Sequence, residues 1–200
     1  MAITNGYATL AELKSRLGLS DTADDAVLES VVTAVSRQID QWCGRRFWAS
    51  TQTRLYTAVS ATMVLTDDVL AVTALRTDSD GDGVYESTWS TADYRLRPAN
   101  AALESQAEPY TWIGAAPRAS YSFPASLDEG VQVTGTFGYS TSTPPVVNEA
   151  CLIQAGRIFR RRDAVFGIAG SAEMGQAIVV PRLDPDVRAL LSPLARRTIA

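Results

Sequence analysis

The sequence has no histidine, a single lysine (Lys14) and only two cysteines, Cys43 and Cys151. The missing histidine removes the commonest general base, the commonest zinc ligand and every Ser-His or Cys-His nucleophile arrangement. Two cysteines cannot build a disulfide framework, and their separation is not that of a metal site, so both read as small buried hydrophobes. No apolar run approaches the roughly 18–20 residues needed to span a bilayer. The opening residues Met1-Ala2-Ile3-Thr4-Asn5 lack the charged start and apolar run of a signal peptide, so the expectation is a soluble protein made in a cytoplasm. Gly167, Gly170 and Gly175 follow neither a G-x-G-x-x-G nor a Walker pattern, and no Gly-x-Ser-x-Gly is present. Catalysis is left with little to work with, and the expectation is a protein that is not an enzyme.

What is present is ordinary globular material, with 46% hydrophobic residues in 200, enough for a core of its own. The net charge of −4 and pI near 4.9 argue against a nucleic-acid binder held by phosphate contacts. That every other basic residue is arginine reads as codon bias of a GC-rich genome.

Thr9-Leu10-Ala11-Glu12 is a Thr-x-x-Glu capping box; Leu10, Leu13 and Leu17 recur at helical spacing, and Gly18 is placed to end a short helix. A longer helix is predicted from about Thr22 to Cys43. Asp24 and Asp25 lie in its first turn, Val27, Leu28, Val31, Val32, Val35, Ile39 and Trp42 form its apolar stripe, and Gly44 stops it. Between about Phe47 and Ser140 the pattern becomes short β-type runs: Thr53–Thr57, Met63–Leu65, Leu70–Arg76, Tyr94–Arg97, Ser120–Phe123 and Val131–Tyr139. Helix returns after Pro144-Pro145 and runs to Arg162; Asp184-Pro185, as N-cap and first helical residue, starts a last one. The predicted fold class is α+β: a helical bundle core formed by residues 1–47 and 144–200, with an antiparallel β module, a small sandwich or barrel, inserted over 48–143.

The strongest metal-like signal is Asp78-Ser79-Asp80-Gly81-Asp82-Gly83. Carboxylates at alternate positions can converge on a hard cation such as calcium, and Gly83 permits a sharp turn. The twelfth position of such a loop is Trp89, where a bidentate Glu belongs, and the flanks read as strands. A plain hairpin turn needs the same Asp-Gly pairs, so the turn and a structural calcium site at Asp78, Asp80 and Asp82 both stand. Glu12, Asp21, Asp24, Asp25 and Glu29 read as a helix start and a solvated face. A DNA-reading helix-turn-helix fails because the reading helix would begin with Asp21, Asp24 and Asp25, which phosphates repel. The basic run Arg160-Arg161-Arg162, with Arg157 on the same helix, reads either as a solvated helix end or as a partner surface, since guanidinium forks suit carboxylates.

The order of these features resembles the head-to-tail connector (adaptor) proteins of tailed bacteriophages. The resemblance is carried by Tyr7–Lys14, by Ile39–Phe47, by Val131–Tyr139 running through Pro144-Pro145 to Arg161–Gly167, and by Pro181–Val187. It implies a structural virion subunit at the head-tail interface, assembled as a homo-dodecameric ring. Its implied partners are the portal protein and a stopper or tail-completion protein, with genomic DNA passing through the lumen without sequence-specific binding and no membrane involved. An acidic chain suits a channel that DNA must slide through. The resemblance points to Arg157, Arg160, Arg161 and Arg162, and to Arg182, Asp184, Arg188, Arg196 and Arg197 of the C-terminal segment, as partner-binding residues. It brings no catalytic residue and no cofactor. The stretch 167–180, rich in Gly and small residues, is expected to order on docking. The rival readings are another neck protein (stopper or tail terminator) and a calcium-dependent binding module.

Overall fold

The computed structural model describes residues 2–101, 108–163 and 183–196. The chain forms two compact units, one of residues 1–45 and 143–200, the other of residues 46–142. The first is helical and the second is a sheet, so the fold is α+β.

In the helical unit, α1 (Leu10–Leu17) opens on the expected capping box. The Glu12 amide donates to Thr9 Oγ1 at 3.2 Å, and the Thr9 amide to Glu12 Oε2 at 2.7 Å. Gly18 closes the helix at φ 71°, a left-handed conformation that glycine adopts without Cβ strain. The second helix, α2 (Asp25–Cys43), starts three residues later than the sequence pattern indicated, and Gly44 ends it at φ 64°. Its buried line is Leu28, Val32, Val35, Ser36, Ile39 and Cys43, whereas Val27 is 45% exposed. The predicted stripe was too wide, because spacings of three and four residues admit only one such line. Helix α3 (Pro145–Arg160) has its proline where a missing N–H costs nothing, and buries Val147, Ala150, Cys151, Leu152, Gln154, Ala155, Gly156 and Phe159. It stops at Arg160, and Arg161–Asp163 continues as a 3-10 turn. The last helix, α4 (Pro185–Leu191), is capped by Asp184, whose carboxylate accepts from the Asp186 amide at 2.9 Å.

A buried polar seam joins distant parts of this unit. The Tyr7 amide donates to Ser36 Oγ at 3.0 Å, Asn148 Nδ2 donates to the Tyr7 carbonyl at 2.9 Å, and the Tyr7 hydroxyl meets Asp40. With the Ser36 hydroxyl also donating to the Val32 carbonyl at 2.7 Å, these buried groups are hydrogen-bonded, as burial requires. Residues near the start of the chain and in α3 are thereby held together.

Among the described residues the second unit is one six-stranded antiparallel sheet, not a sandwich of two sheets or a barrel. Its strands are β1 (Ser50–Tyr56), β2 (Met63–Thr77), β3 (Ser87–Trp89), β4 (Tyr94–Arg97), β5 (Tyr110–Ala115) and β6 (Val131–Phe137). They lie in the order β1-β6-β2-β5-β4, with β3 also on β2. The sequence pattern split β2 into two runs around Asp67-Asp68; the chain instead passes through as one 15-residue strand whose register shifts between Leu65 and Val69. This strand serves β5 with its first half and β6 and β3 with its second, which is why a single sheet suffices. Gly135 lets β6 approach β2 closely, because a Cβ there would lie 2.2 Å from the Ala71 carbonyl oxygen. The predicted strand at Ser120–Phe123 is unpaired, yet Phe123 is buried and stacks on Trp89 with ring centroids 4.4 Å apart. With Val64, Val69, Leu75, Ile113, Val131, Val133 and Phe137 these rings form the core of the unit.

Candidate functional site

Two groups of side chains stand out as candidates, one in each unit. In the helical unit, Arg157, Arg160 and Arg161 come together with Asp184 and with Arg16 of α1 around a cavity of about 490 Å³. Leu17, Ile153 and Gly156 also line it and supply its apolar part. Helical periodicity explains the gathering: residues three or four apart share a face, so 153, 156, 157 and 160 look the same way.

Ion pairs hold part of the rim. Arg157 Nη1 lies 2.6 Å from Asp184 Oδ2, each side chain 21% exposed, and the Asp184 amide donates to Gln154 Oε1 at 3.2 Å. Arg16 Nη1 reaches Glu149 Oε2 at 2.8 Å, and that guanidinium holds the Glu149 carboxyl below its ordinary pKa. Arg160 and Arg161 form no ion pair among the described residues. Among the described residues the rim therefore presents two guanidinium groups without an ion-pair partner.

The structure treats the remaining predicted partner residues differently. Arg162 is engaged: its two Nη atoms meet the two carboxylate oxygens of Asp24 at 2.5 and 3.0 Å, and it lies over the Phe159 ring at 4.3 Å. Asp24, expected simply to favour the α2 dipole, makes no side-chain cap bond; the Arg162 hydrogen bond lowers its pKa. Arg188 and Arg196 do not line the cavity, and the Arg196 amide donates to the Cys43 carbonyl at 2.7 Å. Arg182, Arg197 and the stretch 167–180 lie outside the described residues. Arg16 is the residue that sequence reasoning missed; position 16 signals only a cation near a helix end, and its place beside α3 is tertiary.

In the sheet unit, Asp78, Asp80, Asp82 and Glu86 each bring a carboxylate oxygen within 4.8 Å of the others. Glu86 is the addition to the predicted trio. Asp78 is only 5% exposed and accepts the amides of Asp80 (3.1 Å), Gly81 (2.7 Å) and Gly83 (2.8 Å). These bonds, led by that from Gly81, pull its pKa down, and Gly81 and Gly83 take φ values of 84° and 86°. The loop is thus already a completed turn, folded around one carboxylate. The other three acids are exposed, and the four together could hold one hard cation.

Burial pushes both thiols up, Cys43 to about 12 and Cys151 to about 11. At neutral pH neither forms the thiolate a nucleophile needs.

Comparison with known proteins gives these features a setting. Residues 7–82 match the Phage gp6-like head-tail connector protein family. This is the family the sequence resembles, and the matched segment runs from α1 through β2 to the acidic turn. The likeness of fold extends over the whole chain. The neck of an empty GTA particle computed with C6 symmetry aligns over 100% of this chain and 95% of its own, at 20% identity and a TM-score of 0.61. The neck of a native GTA particle computed with C12 symmetry covers 100% and 94%, at 21% identity and TM-score 0.59. The virion of a native gene transfer agent (GTA) particle covers 100% and 95%, at 22% identity and TM-score 0.60. These likenesses establish the fold. No curated protein matches the chain. No described helix is long and apolar enough to cross a membrane.

Proposed function

We propose that this chain is a structural subunit of a virion neck, a head-to-tail adaptor whose copies form a twelve-fold ring between the portal and the stopper or tail-completion protein. The observation that carries the proposal is the connector-family match over residues 7–82. A fold shared along the entire chain with GTA neck structures, one of them computed with C12 symmetry, supports it. The work of such a subunit is recognition, and an arginine-lined cavity on a helical unit is suited to it, because guanidinium groups bind carboxylates in fixed, two-pronged geometry. Subunits of a closed ring meet through unlike faces, so one chain must carry two different docking surfaces besides those for its neighbours in the neck. The experiment is co-migration of the purified chain with the portal protein of the same genome. A complex containing several copies per portal ring is expected, and a chain that elutes alone contradicts the adaptor role.

The acidic turn supports a second reading, a calcium-dependent module, because four carboxylates lie together. Asp78 weakens it, because three backbone amides already compete for its two oxygens. Calorimetry with calcium decides: heat with a raised melting temperature favours the module, and neither removes it.

A further inference from the structure

We propose that the arginine cavity of one copy receives the Asp78–Glu86 turn of the next copy. The proposal rests on the ring reading above and names one contact within it. The cavity has a definite chemistry: an apolar part of Leu17, Ile153 and Gly156 beside Arg160 and Arg161, which have no ion-pair partner among the described residues. A matching plug must therefore offer an apolar side chain flanked by carboxylates, on a backbone that is already rigid.

The turn has that composition. Val84 is 57% exposed, and the exposed Asp80, Asp82 and Glu86 stand on both sides of it in sequence. The exposed Asp128 and Glu129 add to the same negative region, since the Tyr85 hydroxyl donates to the Glu129 carbonyl at 2.9 Å and Gly81 lies against Leu127. The three amide bonds to Asp78 fix the turn before anything binds, which reduces the ordering cost of docking. A cavity of about 490 Å³ has room for a valine side chain with carboxylates reaching its rim. Placing Val84 on Leu17 and Ile153 removes apolar surface from water, while the charges fix register and exclude wrong partners. Socket and plug are different surfaces of the same chain, as the unlike faces of a ring contact require.

Charge exchange tests this with the full-length chain. R160E/R161E makes the socket acidic and leaves the turn acidic; D80R/D82R/E86R, which keeps only Asp78 of the four turn acids, makes the turn basic and leaves the socket basic. Each variant alone is expected to self-associate at least about tenfold more weakly than wild type, because like charges then face each other. An equimolar mixture is expected to regain assembly, since each reversed socket meets a reversed turn and an alternating ring with an even number of copies closes. Native mass spectrometry counts both chains in the product. Rescue in the mixture also shows that the variants are folded. Wild-type-like assembly by either variant alone overturns the proposal, as does a mixture that stays dissociated. Val84→Asp, which leaves every carboxylate of the turn in place, asks the question from the apolar side, and unchanged assembly there overturns it too. Duplex DNA retained by wild type and lost by R160E/R161E would assign the socket to phosphates instead. A wild-type chain that does not assemble even with its portal removes the ring reading itself, an outcome distinct from a ring that ignores these charges.

Discussion

The two units weight their acidic residues differently, although Arg54–Asp67 in the sheet and the Glu12 and Asp184 caps in the helices cross the division. In the helical unit carboxylates pair with cations, several across long stretches of sequence: Lys14–Asp25, Arg16–Glu149, Arg162–Asp24 and Arg157–Asp184. In the sheet unit they mostly organise turns. Asp78 gathers three amides, and Asp93 gathers the Ser90 amide and hydroxyl and the Ser120 amide at 3.0, 2.6 and 2.9 Å. Helices satisfy their own interior amides, so their acids are free to clamp segments that are remote in the chain. A sheet joined by loops leaves turn amides open, and short acids close them. The difference matters for assembly, because a surface laced by ion pairs can exchange partners, whereas a self-capped turn presents one fixed shape.

The largest effect is expected from the cores. Phe137→Ala in the sheet unit and Ile39→Ala in the helical unit, both fully buried, should each cost about 3–5 kcal/mol in denaturant unfolding. Hydrogen exchange should show the lost protection mainly within the substituted unit; equal loss in both would dissolve the comparison. Next comes Asp93, whose serine partners hold its pKa down to about 2 from 3.8. A carboxylate depressed in the folded state stabilises fully above its unfolded pKa and loses that contribution as pH falls through the folded one. Asp93→Asn should therefore lower the melting temperature at pH 7, and the gap to wild type should close between about pH 4 and 2; a gap that persists at pH 2 contradicts this. Arg157→Ala, which breaks a partly buried pair, should cost about 1–2 kcal/mol, and Arg16→Ala, in a more exposed pair, about 0.5 kcal/mol or less. Molar salt should narrow the second difference more than the first. Smallest is the thiol signal. Cys43 and Cys151, both in the helical unit, should resist a thiol reagent at pH 8 in the native protein and react on unfolding; fast native reaction would show that this unit opens readily.

Much of the helical unit was legible because caps and apolar spacing are local. Thr9, Gly18, Gly44, Pro145 and Asp184 each mark a boundary within reach of their own side chains or backbone. The sheet was harder. Asp67-Asp68 in mid-strand read as a break, although pairing on both sides carries β2 through. Tyr110–Ala115 lies outside the predicted runs although Tyr110, Thr111, Trp112 and Ile113 are all strand formers, and the predicted run Ser120–Phe123 holds the strand formers Tyr121 and Phe123 without joining the sheet. The arginine cavity was half legible: Arg157, Arg160 and Arg161 share a helix, but Arg16 joins them only through packing. Glu86 likewise joined the acidic trio only once the turn had folded.

The central claim is that this chain is a ring-forming neck subunit, and particle mass and symmetry test it most directly. Native mass spectrometry and electron microscopy of the chain, with and without the portal of the same genome, should show twelve copies arranged around one axis when the portal is present. A strict monomer that ignores the portal under assembly conditions would contradict the account.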